Sequence, residues 1–79
     1  MPVLRLFASA REAAGTGRVE LEGSTVGEVL RAATERFGEG FAAVLGTSRV
    51  WVNGEPASEG DPVGPDDEVA VLPPVSGGA

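Results

Sequence analysis

The sequence predicts a single α+β domain in which one amphipathic helix covers one face of a mixed sheet of four to five strands. Several short segments alternate apolar and polar residues with a period of two, which is typical of half-buried strands. One segment, residues 26–37, carries apolar residues at helical spacing. A chain of 79 residues forms one domain, and a single helix covers only one face of a sheet, so the other face is predicted to be open.

Two strands are predicted in the first part of the chain. In residues 3–8 the even-numbered side chains share one face, and the odd-numbered side chains, which include Arg5 and Phe7, share the other. Residues 18–22 alternate apolar and charged side chains and form the second strand. Residues 14–17 are rich in turn formers, so the two strands are predicted to form a long-looped hairpin.

The main helix is predicted at residues 26–37. Thr25 and Glu28 have the spacing of a capping box, in which a threonine caps the helix and a glutamate follows three residues later. The apolar residues of the segment fall at i, i+3, i+4, i+7 and i+11, which is one continuous stripe. Gly38 occupies the position of a left-handed C-cap, and residues 39–46 are predicted to add a short helical turn.

Residues 49–52 and 68–72 are the other predicted strands. Asn53-Gly54 follows the first of them and is a strong hairpin signal, because a type I′ turn needs positive φ at both positions. Pro56, and a second proline six residues later, make the return strand short and restrict it to an edge of the sheet. The predicted order is therefore β-β-α-β-β-β.

Strand alternation also predicts what the uncovered side of the sheet, here called the open face, presents to its surroundings. If the aliphatic positions point toward the helix, Phe7, Trp51 and Leu72 point outward. Three large apolar side chains on neighbouring strands form a patch, and such patches mark interaction surfaces. A register shifted by one residue, or a loop that covers the patch, is the alternative.

The composition excludes most catalytic chemistry. The chain contains no cysteine and no histidine, which removes the commonest general base and the commonest metal ligands. The acidic run 66–68 lies in a predicted turn, where adjacent carboxylates are usually solvated, so no metal site is predicted. All six basic residues are arginine, so no side-chain amine can attack an activated carboxyl group. We therefore expect no catalytic side chain within the domain.

Charge and hydropathy bear on partners and location. The net charge of −6 argues against nucleic acid or an anionic membrane as partner, because phosphate binding depends on an excess of basic residues. The N-terminal stretch does not have the form of a signal peptide, and no apolar run approaches the length of a membrane span. A cytoplasmic location is the expectation.

The remaining reactive group is the carboxylate at the C-terminal end. Residues 1–72 are predicted to form the folded domain, and residues 73–79 a flexible tail. The prolines hold the chain extended as it leaves the sheet, and Gly77 and Gly78 have no side chain to obstruct a narrow channel. Six extended residues span about 20 Å, so the tail can enter the active site of another protein. A frayed terminus without function is the alternative.

Three stretches match a known pattern: residues 7–15 with the form Phe-Ala-x-x-Arg-Glu-x-x-Gly, Val-Asn-Gly at 52–54, and residues 67–78, which end in Leu-Pro-Pro-Val-Ser-Gly-Gly. With them the chain resembles the MoaD/ThiS family of ubiquitin-like β-grasp sulfur carriers over nearly its whole length. The double proline before Val-x-Gly-Gly makes it most similar to the small subunit of molybdopterin synthase.

The resemblance implies a sulfur-transfer cycle. An E1-like adenylating enzyme would use ATP-Mg to adenylate the carboxylate of Gly78, and sulfur delivered as a persulfide would displace AMP and leave a thiocarboxylate. The tail would then insert into the large subunit of molybdopterin synthase, in a heterotetramer, and donate sulfur to a pterin precursor. No cofactor would be bound by the chain itself.

The resemblance and the predicted open face together assign the site residues. Gly78 would carry the adenylate and the thiocarboxylate, with Gly77 beside it. The expected partner-binding residues lie on the open face and along the tail: Phe7, Arg11, Trp51, Leu72, Pro73, Pro74, Val75 and Ser76.

Ala79 departs from the family pattern, in which the second glycine is the last residue. A peptidase that removes Ala79 before activation is therefore an expected partner. Three alternatives to the molybdopterin role are open: a sulfur carrier for cysteine, thiamine or tRNA thiolation, a conjugated protein modifier, and a non-catalytic β-grasp interaction module.

Overall fold

The computed structural model of the chain describes residues 1–74, so the predictions for Val75, Ser76, Gly77, Gly78 and Ala79 lie outside the described residues. The described elements, in chain order, are β1 (Val3–Leu6), α1 (Ala8–Ala14), β2 (Arg18–Glu20), α2 (Val26–Phe37), α3 (Glu39–Leu45), β3 (Arg49–Val52), β4 (Glu55–Pro56) and β5 (Glu68–Leu72). Within residues 1–74, five strands form one mixed sheet in the order β2-β1-β5-β3-β4. The predicted α+β class and strand number are confirmed.

β5 is the central strand of the sheet. It runs parallel to β1, with Leu4 opposite Val69, and antiparallel to β3, with Val52 opposite the same valine. The first and last strands of the domain are therefore parallel neighbours. Val69 and Val71 are completely buried, so the middle of β5 forms the centre of the core.

The helix layer covers one face of the sheet. α2 begins at Thr25, whose hydroxyl accepts a hydrogen bond from the Glu28 amide at 3.2 Å. The Glu28 carboxylate accepts hydrogen bonds from the amide and the hydroxyl of Ser24 at 2.9 and 3.1 Å. These bonds favour the charged form and lower the pKa of Glu28. The predicted capping of the helix is therefore confirmed, with the amide of Ser24 as the partner of the glutamate.

The core combines side chains from both layers. Phe41 of α3 is its largest completely buried residue, and its ring lies 5.4 Å from that of Phe37 at the end of α2. The predicted helical turn after the main helix is confirmed as α3. The buried apolar residues are Leu4, Leu6, Ala10, Leu21, Val26, Val29, Leu30, Ala33, Phe41, Val63, Val69 and Val71.

Gly38, between α2 and α3, has positive φ but not the predicted left-handed helical conformation. Its φ and ψ are 90° and −167°, and its amide donates to the carbonyl of Thr34. The extended ψ lets this glycine end α2 and begin α3 without an intervening loop, since it is also the N-cap of α3. A side chain would oppose a φ of this sign.

The connection between β1 and β2 differs from the prediction. β1 ends at Leu6, and residues 8–14, predicted as strand end and loop, form α1. Ala8 makes the sharp turn with a φ of +50°, a value that non-glycine residues rarely adopt. The helix packs against α3 and buries Ala10 completely, which compensates for the unfavourable turn. The predicted β-β-α-β-β-β order therefore becomes β-α-β-α-α-β-β-β.

The second predicted strand is shorter than expected. β2 spans Arg18–Glu20 and pairs with β1 in antiparallel register, so these two strands are neighbours as predicted. Leu21 lies beyond its end but is buried, and its amide donates to the carbonyl of Pro2 at 3.1 Å. This bond continues the register of the β1–β2 pairing by one residue, so the pairing helps to position the buried leucine.

The Asn53-Gly54 hairpin is confirmed, with φ values of 50° and 84°. The return strand β4 has only two residues, Glu55 and Pro56, and lies at an edge of the described sheet, as predicted. The Asn53 side chain donates to the carboxylate of Asp67 at 2.9 Å and accepts from the amide of Glu68 at 3.0 Å. The side chain of Asn53 thus links the hairpin turn to the start of β5 by hydrogen bonds.

Candidate functional site

β5 places the tail at one end of the sheet. Its last residue, Leu72, lies opposite Arg49 at the start of β3. Pro73 is half-buried and Pro74 is exposed, so the chain leaves the fold at this point. The segment that leads to the two glycines therefore begins directly at the central strand.

The open face has the register that alternation predicts. Trp51 of β3 and Arg5 of β1 both lie opposite Ala70, one on each side of β5. Trp51 also lies opposite Pro56 of the edge strand, and Leu72 is two residues along β5 from the alanine. Trp51 and Leu72 are half-buried. The alternative of a register shifted by one residue is wrong.

Phe7 belongs to the same face. Strand pairing ends at Leu6 opposite Val71, but Phe7 keeps an extended backbone with φ −125° and ψ 155°, so the alternation continues through it. The guanidinium carbon of Arg5 lies 5.8 Å from the centre of the Phe7 ring, a cation–π distance. The side chain of Phe7 is 39% exposed. We call Phe7, Trp51, Ala70 and Leu72 the open-face patch.

Arg11, predicted at the rim of this face, lies on α1 and lines a shallow cleft of about 450 Å³ beside Phe7. Arg5 and Arg18 line the same cleft. Sequence reasoning missed Arg18 and Arg49 as open-face residues. Strand alternation alone could have placed them there, since Arg18 lies opposite Arg5 and Arg49 lies opposite Leu72.

The acidic turn before β5 has a structural role. The Asp67 carboxylate accepts hydrogen bonds from the Gly64 amide at 2.7 Å and the Asn53 side chain at 2.9 Å, and these bonds lower its pKa. The Asp67 carboxylate is therefore hydrogen-bonded within the turn while it remains partly exposed to solvent. In the part of the chain that the structure describes, three or more acidic, cysteine or histidine side chains never come close enough to hold a metal ion.

A larger groove of about 740 Å³ lies at the β3-β4 edge of the sheet, between these strands and the helices α2 and α3. The hydroxyl of Ser48 in its wall donates to the carbonyl of Val44 at 2.7 Å, which is a contact at a helix end. Helix residues such as Leu30 line one wall of the groove, and Arg49, Trp51 and Pro56 line the other, so the groove meets the open-face patch at Trp51. Among residues 1–74, no helix has the length and apolar character that crossing a membrane requires.

Comparison with protein families identifies the fold and the tail together. The model of the ThiS family matches residues 4–78, which includes both glycines and ends on the second. The chain belongs to the ThiS family. In this family member, Leu72 belongs both to the open-face patch and to the end of β5 from which the tail leaves the sheet.

Three of the solved structures that match cover nearly the whole chain. SAMP1 (small archaeal modifier protein 1) from Haloferax volcanii is 35% identical, with 98% of each chain covered and a TM-score of 0.81. A candidate molybdopterin converting factor, subunit 1, from Pyrococcus furiosus is 26% identical, with 94% and 97% covered and a TM-score of 0.81. A complex of subunits 1 and 2 of the molybdopterin-converting factor from Helicobacter pylori 26695 is 24% identical, with 98% and 97% covered and a TM-score of 0.71, which shows the fold alone.

No curated protein matches the chain in a sequence comparison. The family and structural matches agree on a ThiS/MoaD-like sulfur carrier or small modifier with the β-grasp fold. Structural relatives of this fold form complexes with partner proteins, as the Helicobacter pylori structure shows. The predicted family and fold are confirmed at this level.

Proposed function

We propose that the chain is a sulfur carrier for molybdopterin biosynthesis and that the carboxylate of Gly78 is the group that carries sulfur. The observation that carries the proposal is the position of the tail. The match to the ThiS family continues through Gly78, and the segment leading to it leaves the central strand beside the open-face patch. The proposed docking surface, the open-face patch, and the reactive carboxylate of Gly78 thus belong to adjacent parts of one chain.

The chemistry requires activation by another protein. A carboxylate oxygen of Gly78 attacks the α-phosphorus of ATP, and pyrophosphate leaves. A persulfide sulfur then attacks the carbonyl carbon of the acyl adenylate, and AMP leaves. A thiol cleaves the resulting acyl disulfide by two-electron reduction and releases the thiocarboxylate. ATP-Mg is a substrate of the adenylating enzyme in this cycle, and the chain itself supplies the acyl group.

Docking would use the open-face patch, with Arg11 at its rim. The proposed partners are the E1-like adenylating enzyme and the large subunit of molybdopterin synthase, which the chain meets in turn. The complex of two subunits from Helicobacter pylori supports a partner of the second kind. The rings of Pro73 and Pro74 hold the start of the tail extended. The next residues, Val75, Ser76 and Gly77, would occupy the channel of the partner.

Ala79 lies beyond the residues that match the family. An alanine after Gly78 would move the carboxylate by about 3.5 Å and place a Cβ at the reacting residue. A displacement of about 1 Å in a preorganised site can lower the rate by about 100-fold. We therefore propose that a peptidase removes Ala79 before activation.

The experiment is mass spectrometry of the chain after incubation with the adenylating enzyme, ATP and a persulfide donor. Three proteins are compared: the full-length chain, the chain without Ala79, and the chain without both Gly78 and Ala79. We expect a mass gain equal to the exchange of one oxygen for one sulfur in the second protein alone. Equal conversion of the full-length chain would contradict the role of the peptidase, and no conversion of any of them would contradict the sulfur carrier.

The acceptor is tested separately. Addition of the large synthase subunit and the pterin precursor should consume the thiocarboxylate and form the dithiolene. Consumption of the thiocarboxylate by an acceptor for cysteine, thiamine or tRNA thiolation, with none by the pterin precursor, would assign the chain to another sulfur pathway.

A second candidate function is protein modification, and the 35% identity to SAMP1 over 98% of both chains favours it. A modifier would transfer its activated acyl group to an amine of another protein. The chain has no lysine, so it could not be extended into lysine-linked polymers, and single adducts are expected. Denaturing gels of cell extract incubated with a tagged chain that ends at Gly78 would detect such adducts.

A further inference from the structure

We propose that the cleft formed by Arg5, Arg11 and Arg18 binds an acidic segment of the protein partner. The proposal rests on the proposed function, because it names the chemistry of the surface against which the open-face patch docks. The net charge of the chain is −6, yet three of its six arginines line this one cleft. Such a concentration of positive charge on an acidic protein is the observation to be explained.

The arginines reach the cleft from three different elements. Arg5 and Arg18 lie opposite each other on the paired strands β1 and β2, and Arg11 comes from the intervening helix α1. A Cβ placed on Gly17 would lie only 3.4 Å from the Cδ and Nε of Arg11, so that side chain lies directly against the glycine backbone. This packing holds the Arg11 side chain against the wall of the cleft.

The positive charges are weakly neutralised within the chain. Arg5 is 3.4 Å from a carboxylate oxygen of Glu68, and both side chains are about half exposed. Arg18 and Glu20 are 3.9 Å apart and more exposed still. Among residues 1–74, Arg11 forms neither an ion pair nor a side-chain hydrogen bond. Exposed pairs of this kind are weak, so a partner's carboxylates can replace them.

The floor and rim of the cleft favour a protein segment that is both acidic and apolar. Phe7 lines the cleft beside the arginines, and its ring already contacts the guanidinium of Arg5. A guanidinium group binds a carboxylate through two parallel hydrogen bonds, which gives direction as well as charge. An aspartate or glutamate next to an apolar side chain would fill the cleft and extend onto the open-face patch. Nucleic acid is disfavoured by the net charge.

The test is the binding of charge-reversed chains to the adenylating enzyme. Arg11→Glu should weaken binding by at least about tenfold and slow association, because electrostatic complementarity mainly raises the association rate. Arg31→Glu is the matched control, since Arg31 is an exposed residue of α2 on the covered side and the substitution changes the net charge equally. We expect the control to bind within about twofold of the unmodified chain.

The salt dependence of the association rate distinguishes binding at the arginine cleft from general electrostatic attraction. Raising the salt concentration should slow association of the unmodified chain and of the Arg31→Glu chain, with little effect on Arg11→Glu. Arg18→Glu is the second variant, to be used if thermal unfolding shows that Arg11→Glu is not folded. Equal weakening by Arg11→Glu and Arg31→Glu, or tighter binding by Arg11→Glu, would overturn the proposal.

The outcome is distinguishable from that of the proposed function. Formation of a thiocarboxylate on the unmodified chain tests the function, whereas the variants test the cleft. A thiocarboxylate with no difference in binding between the two charge reversals overturns the cleft alone. A tenfold difference in binding without any thiocarboxylate supports the cleft and overturns the sulfur carrier. Loss of nucleic-acid binding by Arg11→Glu, with enzyme binding unchanged, would overturn the acidic partner.

Discussion

The two faces of β5 differ in burial, although the residues of each face alternate along the chain. Val69 and Val71 point into the helix layer and are completely buried, while Ala70 and Leu72, one residue along, are half-buried on the open face. The covered face of β1, β5 and β3 is aliphatic, whereas the open face carries aromatic, aliphatic, arginine and glutamate side chains. Packing against the helices explains the aliphatic side chains of the covered face. The aromatic side chains of the open face need another explanation.

The distribution of aromatic residues gives that explanation. The chain has only three phenylalanines and one tryptophan, and a domain of this size has a thin core. Phe37 and Phe41 belong to the helix layer, but Phe7 and Trp51 are on the open face. A small protein that leaves half of its large aromatic side chains outside its core presents an interaction surface. The comparison therefore separates residues that stabilise the fold from residues that bind.

The largest expected effect tests that separation on two phenylalanines. Phe41→Ala should destabilise the domain by about 3–5 kcal/mol, because it removes a completely buried ring. Phe7→Ala should cost less than about 1 kcal/mol, since its ring is already partly exposed. Urea unfolding of both variants measures the difference. Similar destabilisation by the two substitutions would mean that Phe7 belongs to the core.

The next effect concerns binding without loss of fold. Phe7→Ala and Ala70→Glu should each weaken binding to the adenylating enzyme and the large synthase subunit by at least about tenfold, because truncated or charged groups at an interface centre are costly. Ala43→Glu, on an exposed position of α3, is the control for an added carboxylate. Isothermal titration provides the dissociation constants. Unchanged binding of Phe7→Ala and Ala70→Glu would place the interface elsewhere.

A moderate effect is expected at the Asn53-Gly54 hairpin between β3 and β4. Asn53→Ala loses two side-chain hydrogen bonds and places a Cβ-bearing residue without a local bond at positive φ, so it should cost about 1–2 kcal/mol. Asn53→Gly keeps the backbone conformation and should cost less than the alanine variant. Urea unfolding distinguishes the two. A glycine variant as unstable as the alanine variant would show that the backbone conformation contributes little.

The smallest effect is a dependence of stability on pH. Hydrogen bonds lower the folded-state pKa of Asp67 below its ordinary value of 3.8, so its contribution is present above that value and is lost as pH falls through the lowered pKa. The difference in melting temperature between the unmodified chain and Asp67→Asn should therefore be largest near neutral pH and disappear in acid. Asp66→Asn, at an exposed position, removes one carboxylate but neither of these hydrogen bonds and is the control. A difference in melting temperature that increases in acid would contradict the stabilising role of the ionised Asp67 carboxylate.

How much of the fold the sequence predicts depends on where the signal lies. The cap of α2, the Asn53-Gly54 turn and the alternation of β5 are local patterns, and each is present in the structure. α1 was not predicted, because Ala8 makes the preceding turn at positive φ without a glycine to mark it. The burial of Ala10 against α3 stabilises this helix, and that contact cannot be read from neighbouring residues.

The residues of the candidate site also divide into those that local sequence patterns predict and those that only the tertiary structure brings together. Period-two alternation was sufficient to place Trp51 and Leu72 on the open face, because both belong to regular strands. Local patterns could not predict the arginine cleft, since Arg11 and Arg18 come together only when α1 folds back beside the paired strands β1 and β2. Its chemistry therefore follows from tertiary structure.

The most direct test of the account asks whether docking and chemistry reside in different parts of the chain. ATP–pyrophosphate exchange by the adenylating enzyme is measured with the chain ending at Gly78 as substrate and a chain truncated after Ser76 as inhibitor. The truncated chain keeps the open-face patch but has no Gly78 carboxylate, so it should inhibit competitively without being a substrate. The same truncation with Ala70→Glu should not inhibit. If the truncated chain fails to inhibit, or if Ala70→Glu leaves its inhibition unchanged, the open face is not the docking surface and the central claim is contradicted.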